Sequence, residues 1–479
     1  MEDKKIVFIA SECQPFFASG GLGDVIGSLP QKIASASEAT VSVILPLYSK
    51  INPAWRNKLL YVGQMTVQLA WRKQYCGIFK YEAKDVTYYF LDNEYYFKRS
   101  NFYGYFDDGE RFAFFAKAGL DAILYLNLKP NIVHCHDWQT GLVPVYRRTH
   151  YGDNPVFART KFVFTIHNIE YQGIFANDWD VLEDTFGISR FDSHLLEYKG
   201  SINIMKGAME TSHIVTTVSP TYAKEILSPE YAHGLEYEVE RVKHKLVGIL
   251  NGIDKNFYSP SKDKALFVNY NSKSVENKVE NKIELQKMLN LPVDKSIPLI
   301  GMVTRLVAHK GLDLVKGMIE ELLIEKVQIV MLGTGDIHFE GYFKDLENKF
   351  GSKLRVIIAY NPDLSRKIYG ASDIFLMPSK AEPCGLAQMI ASRYGSIPIV
   401  RETGGLADSI KDFSGENGNG YTFAEYSSGA LLSTLRRALN DYQNPDDWMK
   451  KVHTVMETDF GWTKSAKEYL KMYEQVLKQ

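Results

Sequence analysis

Ile6-Val7-Phe8-Ile9-Ala10, then Ser19-Gly20-Gly21-Leu22-Gly23-Asp24, then Val25-Ile26-Gly27-Ser28-Leu29-Pro30: an apolar run, a glycine-rich turn and the start of a helical pattern. A short apolar run with β-branched residues reads as a strand buried on both faces, which is how strands of parallel sheets look. Strand, glycine turn and helix in that order form the opening unit of a doubly wound domain. Further along, Val41–Leu45, Ile132–Cys135, Phe162–Ile166 and Ile214–Val218 read as buried strands, with helical stretches such as Glu110–Tyr125 between them. The pattern restarts after Ser259-Pro260. Val275–Asn290 is spaced as a helix with Val275, Val279, Ile283 and Leu289 on one face. Pro298–Val303, Val327–Leu332, Arg355–Ile358, Ile374–Met377 and Ile397–Val400 read as strands, and Gly311–Glu325 as a helix. The alternation predicts two α/β sheets in succession, joined through Leu246–Asp254.

The chain has 479 residues, more than one ordinary core accommodates. Apolar residues make up 45% and charged residues 24%, an ordinary globular balance. The formal net charge is -1, with Lys and Arg dispersed, so no strong field exists to hold nucleic acid or an anionic membrane. Aromatics stand at 13%; some of these rings suit the apolar face of a sugar, and most serve the core. The four cysteines, Cys13, Cys76, Cys135 and Cys384, form no C-x-x-C pair, which argues against a disulfide framework or zinc ribbon. The N-terminal apolar run is too short for a signal peptide, and no stretch has the length of a membrane span. The expected location is the cytoplasm.

Two glycine turns echo each other, Ser19-Gly-Gly-Leu-Gly-Asp24 and Thr403-Gly-Gly-Leu-Ala-Asp408, one in each half and each before a helix. Such helix starts suit an anionic ligand. Around them lie His134-Cys-His-Asp-Trp-Gln139, Thr165-Ile-His-Asn-Ile-Glu-Tyr-Gln-Gly173, Asn251-Gly-Ile-Asp254, Thr304-Arg-Leu-Val-Ala-His-Lys-Gly311, Glu382-Pro-Cys-Gly-Leu386 and Asp459-Phe-Gly-Trp-Thr-Lys-Ser-Ala466. In this order, and over nearly the whole chain, these motifs resemble the bacterial glycogen synthase and plant starch synthase family. The resemblance implies a GT-B fold, with two Rossmann-like doubly wound domains facing across a cleft. On this chain the domains would be residues 1–247 and 248–459, with a C-terminal helix, 460–479, crossing back to the first. It implies retaining transfer of glucose from ADP-glucose to the terminal 4-hydroxyl of an α-1,4-glucan such as glycogen. No metal or other cofactor is expected.

Arg305 and Lys310 stand where a strand gives way to a helix. A departing diphosphate develops negative charge that a guanidinium and an ammonium can stabilise, and the resemblance places both there. Glu382 follows a strand; the resemblance puts it on the donor glucose hydroxyls, where a carboxylate also favours an oxocarbenium-like transition state. A second Glu eight positions on, common in related glycosyltransferases, is here Ile390, so no second carboxylate is assigned. His167 ends a strand, where doubly wound folds place ligands, and the resemblance sets it beneath the donor sugar. The resemblance places Asp137 in the cleft, near the acceptor or the reacting sugar. His134 and His136 project to one side of a strand, which raises a metal pair, but no further ligand has suitable spacing and none is assigned. Tyr360 matches a ring stacked on adenine. By resemblance Ser19, Gly20, Gly21, Asp24, Asn168, Asn251, Cys384, Gly385, Leu386, Thr403, Gly404 and Gly405 line the substrates.

One position departs from the family, which commonly has Lys two residues before the first glycine of the first loop. Here it is Ala18, so one cation expected at the donor phosphate is missing. That keeps UDP-glucose open as donor, and a glucan-binding protein of weak activity open as a second class. A phosphorylase would need pyridoxal phosphate on a Lys. Asp459-Phe-Gly461 lacks the companion motifs of a kinase.

Overall fold

Ile6, Phe8 and Ile9 have no exposed surface and Val7 is 2% exposed, as a strand covered on both faces requires. The computed structural model describes residues 1, 3–83, 85–176 and 181–479. They divide into two compact units, Met1–Gly252 with Trp462–Gln479, and Ile253–Gly461.

The first unit holds β1 (Lys5–Ile9), β2 (Thr40–Pro46), β3 (Leu60–Leu69), β4 (Arg72–Ala83), β5 (Val86–Asp92), β6 (Ile132–His136) and β7 (Lys161–Ile166). After the short strands β8 (Ile174–Ala176), β9 (Glu197–Tyr198) and β10 (Ser201–Asn203) come β11 (Ile214–Thr217) and β12 (Leu246–Gly248). Among the described residues the main sheet runs β12-β11-β7-β6-β1-β2-β5-β4-β3. It is parallel from β12 to β5, and β4 and β3 extend it antiparallel. The alternation argument does not reach residues 60–92, and there the structure adds three strands. From β1 the chain passes to β2 on one side and later to β6 on the other, so the strand order reverses between β1 and β6.

The second unit holds β13 (Leu299–Val303), β14 (Gln328–Gly333), β15 (Leu354–Ile358), β16 (Ile374–Met377), β17 (Ile397–Arg401) and β18 (Tyr421–Phe423). All its pairings are parallel, in the order β15-β14-β13-β16-β17-β18. Renumbered within the unit this is 3-2-1-4-5-6, the order of a dinucleotide-binding sheet, with its reversal between β13 and β16.

The unit boundary falls after Gly252, not after residue 247. β12 pairs with β11, and Leu250 O accepts the Ser465 hydroxyl at 2.5 Å, which ties the chain through Leu250 to the first unit. At the other end Gly461 bridges to Ile253 and Asp459 pairs with Lys255 at 2.8 Å, so residues 460–461 stay with the second unit. The C-terminal helix, Thr463–Val476, belongs to the first unit, with Tyr469, Tyr473 and Val476 fully buried.

The helix expected over Val275–Asn290 needs correction in its face. A 3-10 turn, Val275–Asn277, leads into an α-helix, Lys278–Met288, that buries Lys278, Asn281, Lys282, Leu285 and Gln286. Val279, Ile283 and Leu289 are only half-buried. The polar face goes inward because it finds partners there, and a satisfied buried polar group costs little. Lys278 Nζ donates to the carbonyls of Tyr369 (3.2 Å) and Gly370 (2.7 Å) at the C-terminal end of helix Pro362–Ala371, where a cation is favoured. Lys282 Nζ pairs with Asp373 at 2.7 Å and donates to Tyr442 OH at 3.0 Å.

Candidate active site

In doubly wound sheets ligands sit beyond the carboxyl ends of the strands, where the strand order reverses. In the second unit that place belongs to the loops after β13 and β16, which carry Arg305 with Lys310 and Glu382. The loops touch because residue 311 is glycine. Its φ is +74°, and a Cβ there would lie 2.0 Å from Pro378 O. Beside it Lys380 N donates to His309 O at 2.9 Å. This approach sets Lys310 Nζ 2.6 Å from Glu382 Oε2, which also accepts the Ser379 hydroxyl at 3.1 Å. The side chains are 15% and 8% exposed, so the pair is largely withdrawn from water. Arg305 is exposed, with NH2 3.5 Å from His309 Nε2, and its loop is braced by Leu306 N donating to Thr334 O at 2.9 Å.

A second turn supports Glu382 from behind. Gly405 N donates to Glu382 O at 3.1 Å, and Gly404, at φ +44°, leaves no room for a side chain: a Cβ would lie 1.9 Å from that same oxygen. Thr403 is fully buried. Arg401, 8% exposed, donates from Nε to Ser379 O at 3.0 Å and from NH2 to Lys380 O. Gln388, at the start of helix Ala387–Arg393, donates to Gly385 O (2.9 Å) and Cys384 O (3.2 Å). Cys384 is buried, and Leu386, the cap of that helix, is half-buried. Tyr360 is 81% exposed, beside Asn361, whose side chain caps helix Pro362–Ala371.

In the first unit the corresponding loops follow β1 and β6. The helix Gly21–Ala36 starts inside the glycine loop, with Ser19, Gly20 and Gly21 exposed and Asp24 half-buried in its first turn. The first amides of that loop are filled by the chain's own carboxylate. Glu12, 3% exposed, accepts Ser19 N (2.5 Å), the Ser19 hydroxyl (2.7 Å) and Gly20 N (3.3 Å), and takes a further bond from Tyr103 OH at 2.7 Å. Ahead of Ala18, Phe16 and Phe17 are buried in an aromatic cluster with Trp55, Phe90, Tyr48 and Phe102.

The β6–β7 register pairs His136 with Thr165, so the residues just beyond, Asp137 and His167, emerge together. Asp137 has φ +56° and ψ 177°, a conformation costly for a residue with a Cβ. Its Oδ1 accepts His167 N at 2.7 Å. Withdrawal from water raises the Asp137 carboxyl to about 7, against the lowering effect of its bonds from the His167 and Asn168 backbone. Burial lowers the His167 imidazole to about 3. His167 Nε2 is 3.0 Å from His136 Nδ1. His134 spends both ring nitrogens, on Tyr473 OH (2.7 Å) and Thr165 Oγ1 (2.6 Å). Among the described residues no group of three or more His, Cys, Asp or Glu is placed to hold a metal ion. Asn168 turns its Oδ1 to Glu170 N at 3.0 Å, and Asn251 is buried at the end of the unit.

The structure thus gathers Lys310, Glu382 and the Thr403–Gly405 turn in one unit, and Asp137 with His167 in the other. Glu12, Tyr103, Ser379 and Arg401 were not legible as participants. An acidic residue three positions after β1 was the available signal for Glu12, and a hydroxyl three positions before Glu382 that for Ser379; Tyr103 and Arg401 depend on contacts farther along the chain.

Residues 5–241 match the starch synthase catalytic domain family and residues 262–454 the glycosyl transferases group 1 family. A glycogen synthase of Alkaliphilus metalliredigens is 47% identical over 473 residues, 98% of this chain and 99% of that protein. A glycogen synthase of Bacillus subtilis is 47% identical over 477 residues, 98% of each. Among solved structures, the catalytic domain of starch synthase IV from Arabidopsis thaliana, bound to ADP and acarbose, aligns over 100% of both chains with TM-score 0.92 and 34% identity. Sucrose-phosphate synthase from Thermosynechococcus elongatus shares the fold, with TM-score 0.63 at 15% identity over 99% of both chains. The fold is GT-B, built of two Rossmann-like domains, and the protein is a glycosyltransferase. By sequence over its full length and by structure, this chain belongs to the glycogen synthase and starch synthase family.

Proposed function

We propose that the chain transfers glucose from ADP-glucose to the non-reducing-end 4-hydroxyl of an α-1,4-glucan, with retention at C1. The C1–oxygen bond to the diphosphate breaks with its electron pair leaving on ADP. A bond forms from C1 to the acceptor oxygen, and the proton of that hydroxyl passes to the oxygen of the departing diphosphate. The observation that carries this reading is the Lys310–Glu382 pair, 2.6 Å apart at the reversal point of the second sheet. An ammonium and a carboxylate fixed side by side can serve the two charges that separate in the reaction. Lys310 and Arg305 meet the developing negative charge on the diphosphate. Glu382 meets the sugar hydroxyls and the positive charge growing at the anomeric carbon. His167 is assigned to the donor glucose, and Asp137 to the acceptor or the reacting sugar. Tyr360, with its exposed ring, stacks on the base; Asn168, Asn251, Asp24 and the amides of Cys384–Leu386 and Thr403–Gly405 contact the substrates. The starch synthase structure bound to ADP and acarbose supports an adenine nucleotide and a glucan as ligands here.

The test is incorporation of labelled glucose into glycogen from ADP-glucose and from UDP-glucose in parallel, each with and without excess EDTA. ADP-glucose is expected to be the better donor, and incorporation to persist in EDTA. Equal or better use of UDP-glucose would reassign the donor. Absence of incorporation from either, with glycogen binding intact, would favour the glucan-binding reading.

A further inference from the structure

His134 and His136 lie two apart on β6 and so share one face of the sheet. Their rings pack with centroids 4.2 Å apart, and Phe8 stacks on His136 at 5.8 Å with an interplanar angle of 15°. His134 is pinned through both nitrogens, to Tyr473 on the C-terminal helix and to Thr165 on β7. The His136 ring is therefore held by its neighbours and has one polar task. Its Nδ1 is 3.0 Å from His167 Nε2, while its Nε2 is buried and has no hydrogen-bond partner among the described residues.

Two nitrogens at this distance share one proton, and its owner follows from what is left over. If His136 were protonated at Nε2, a buried N–H would stand without an acceptor, the rarer and costlier kind of orphan. If it is protonated at Nδ1, only a lone pair is left unused. Burial holds both imidazoles neutral, so neither carries two protons.

We infer that His136 is a positioning residue that donates its Nδ1–H to His167 Nε2 and so fixes His167 as the tautomer protonated at Nδ1. The next residue, Asp137, holds the backbone N–H of His167 at 2.7 Å, so consecutive residues clasp ring and backbone. His167 then offers a ligand an N–H and no lone pair. Resting on the reading that His167 meets the donor glucose, this makes it a hydrogen-bond donor to a sugar oxygen. It does not act as the base that takes the acceptor's proton.

The test uses the full chain labelled with nitrogen-15 in histidine. Long-range proton–nitrogen correlation reads the tautomer, and His167 is assigned by the signals lost in His167→Gln. A protonated Nδ1 and a bare Nε2 on His167 are expected; a protonated Nε2 would overturn the assignment. His136→Asn keeps an N–H near the Nδ1 position and His136→Leu removes it. The Leu variant is expected to lose roughly 10- to 100-fold in kcat, as misplaced catalytic groups do. It should also show mixed His167 tautomers, while the Asn variant recovers most of both. Asn no better than Leu, or a Leu variant with the Nδ1–H tautomer intact, would also overturn it. Should either variant fail to fold, the wild-type spectrum alone still decides. If the tautomer is as assigned but His167→Gln keeps full activity, the assignment stands and the placement of His167 at the donor glucose falls.

Discussion

Glu382 is held by one oxygen to Lys310 and Ser379, so its rotamer is set before any substrate arrives. A preorganised charge of this kind is worth about 100-fold or more in rate. Glu382→Ala is accordingly expected to lower kcat by about 100-fold or more with the fold preserved. A folded variant with near-normal kcat would remove Glu382 from the chemistry. Asp137 is a residue-scale case with a pH signature. Its carboxyl is raised to about 7, chiefly by withdrawal from water and further by nearby Glu12. Between the ordinary carboxylate range and that value the folded chain holds a proton that the unfolded chain has lost. The stability this adds is present in acid and lost as pH rises through about 7. Asn cannot ionise, so the melting temperature of Asp137→Asn relative to wild type should rise from acid to alkaline pH. The ionised form is the better acceptor for the His167 N–H. Wild-type kcat should therefore climb through neutrality, and the variant's profile should be flat there. Parallel profiles and a constant difference in melting temperature would show that Asp137 does not titrate in this range.

At the scale of elements, the glycine loop is shaped from within. Glu12 fills the Ser19 and Gly20 amides and ties the loop to Tyr103, while Phe16 and Phe17 are packed away in the aromatic cluster. A lysine introduced at position 18 would join a loop whose nearest anion is Glu12. A half-solvated pair with the donor phosphate adds about 0.5–1 kcal/mol, a few-fold in affinity. Ala18→Lys is expected to lower the KM for ADP-glucose by a few-fold, with kcat changed less, in kinetics at fixed glycogen. An unchanged or higher KM in the folded variant would mean that Glu12, not donor phosphate, is the anion this loop is built for. The loop at Glu382 shows the same logic with opposite visibility. The spacing of Glu382-Pro-Cys-Gly-Leu386 and of Thr403-Gly-Gly-Leu406 is plain in the sequence. That the second turn presses on the first is visible only where a Cβ on Gly404 would strike Glu382 O.

Across the molecule, the C-terminal helix is tied to the centre of the first sheet by residues 339 positions apart, Tyr473 and His134. Both are fully buried. Tyr473→Phe keeps the ring and its packing but leaves His134 Nδ1 without a partner, a cost of about 1–3 kcal/mol. The expected fall in melting temperature is about 2–4 °C per kcal/mol for a unit of this size. An unchanged melting temperature would show that His134 finds another partner and that this bond contributes nothing to holding the helix.

The sequence by itself determined the two doubly wound sheets, because strands buried on both faces are written as short apolar runs and their turns as glycine. It also determined Arg305, Lys310, Glu382, Asp137 and His167 as candidates, since each follows such a strand in a recognisable motif. The inward face of helix Lys278–Met288 was not legible, because two lysines there outweigh valine and isoleucine only once Gly370 O and Asp373 are in reach. Glu12, Arg401 and His136 were not legible for the same reason. A carboxylate in its own loop's amides, a guanidinium under a neighbouring loop and an imidazole setting another's tautomer depend on distances between strands. Only tertiary structure decides those distances, because the energy of a buried polar group is fixed by whether its partner stands within hydrogen-bond reach.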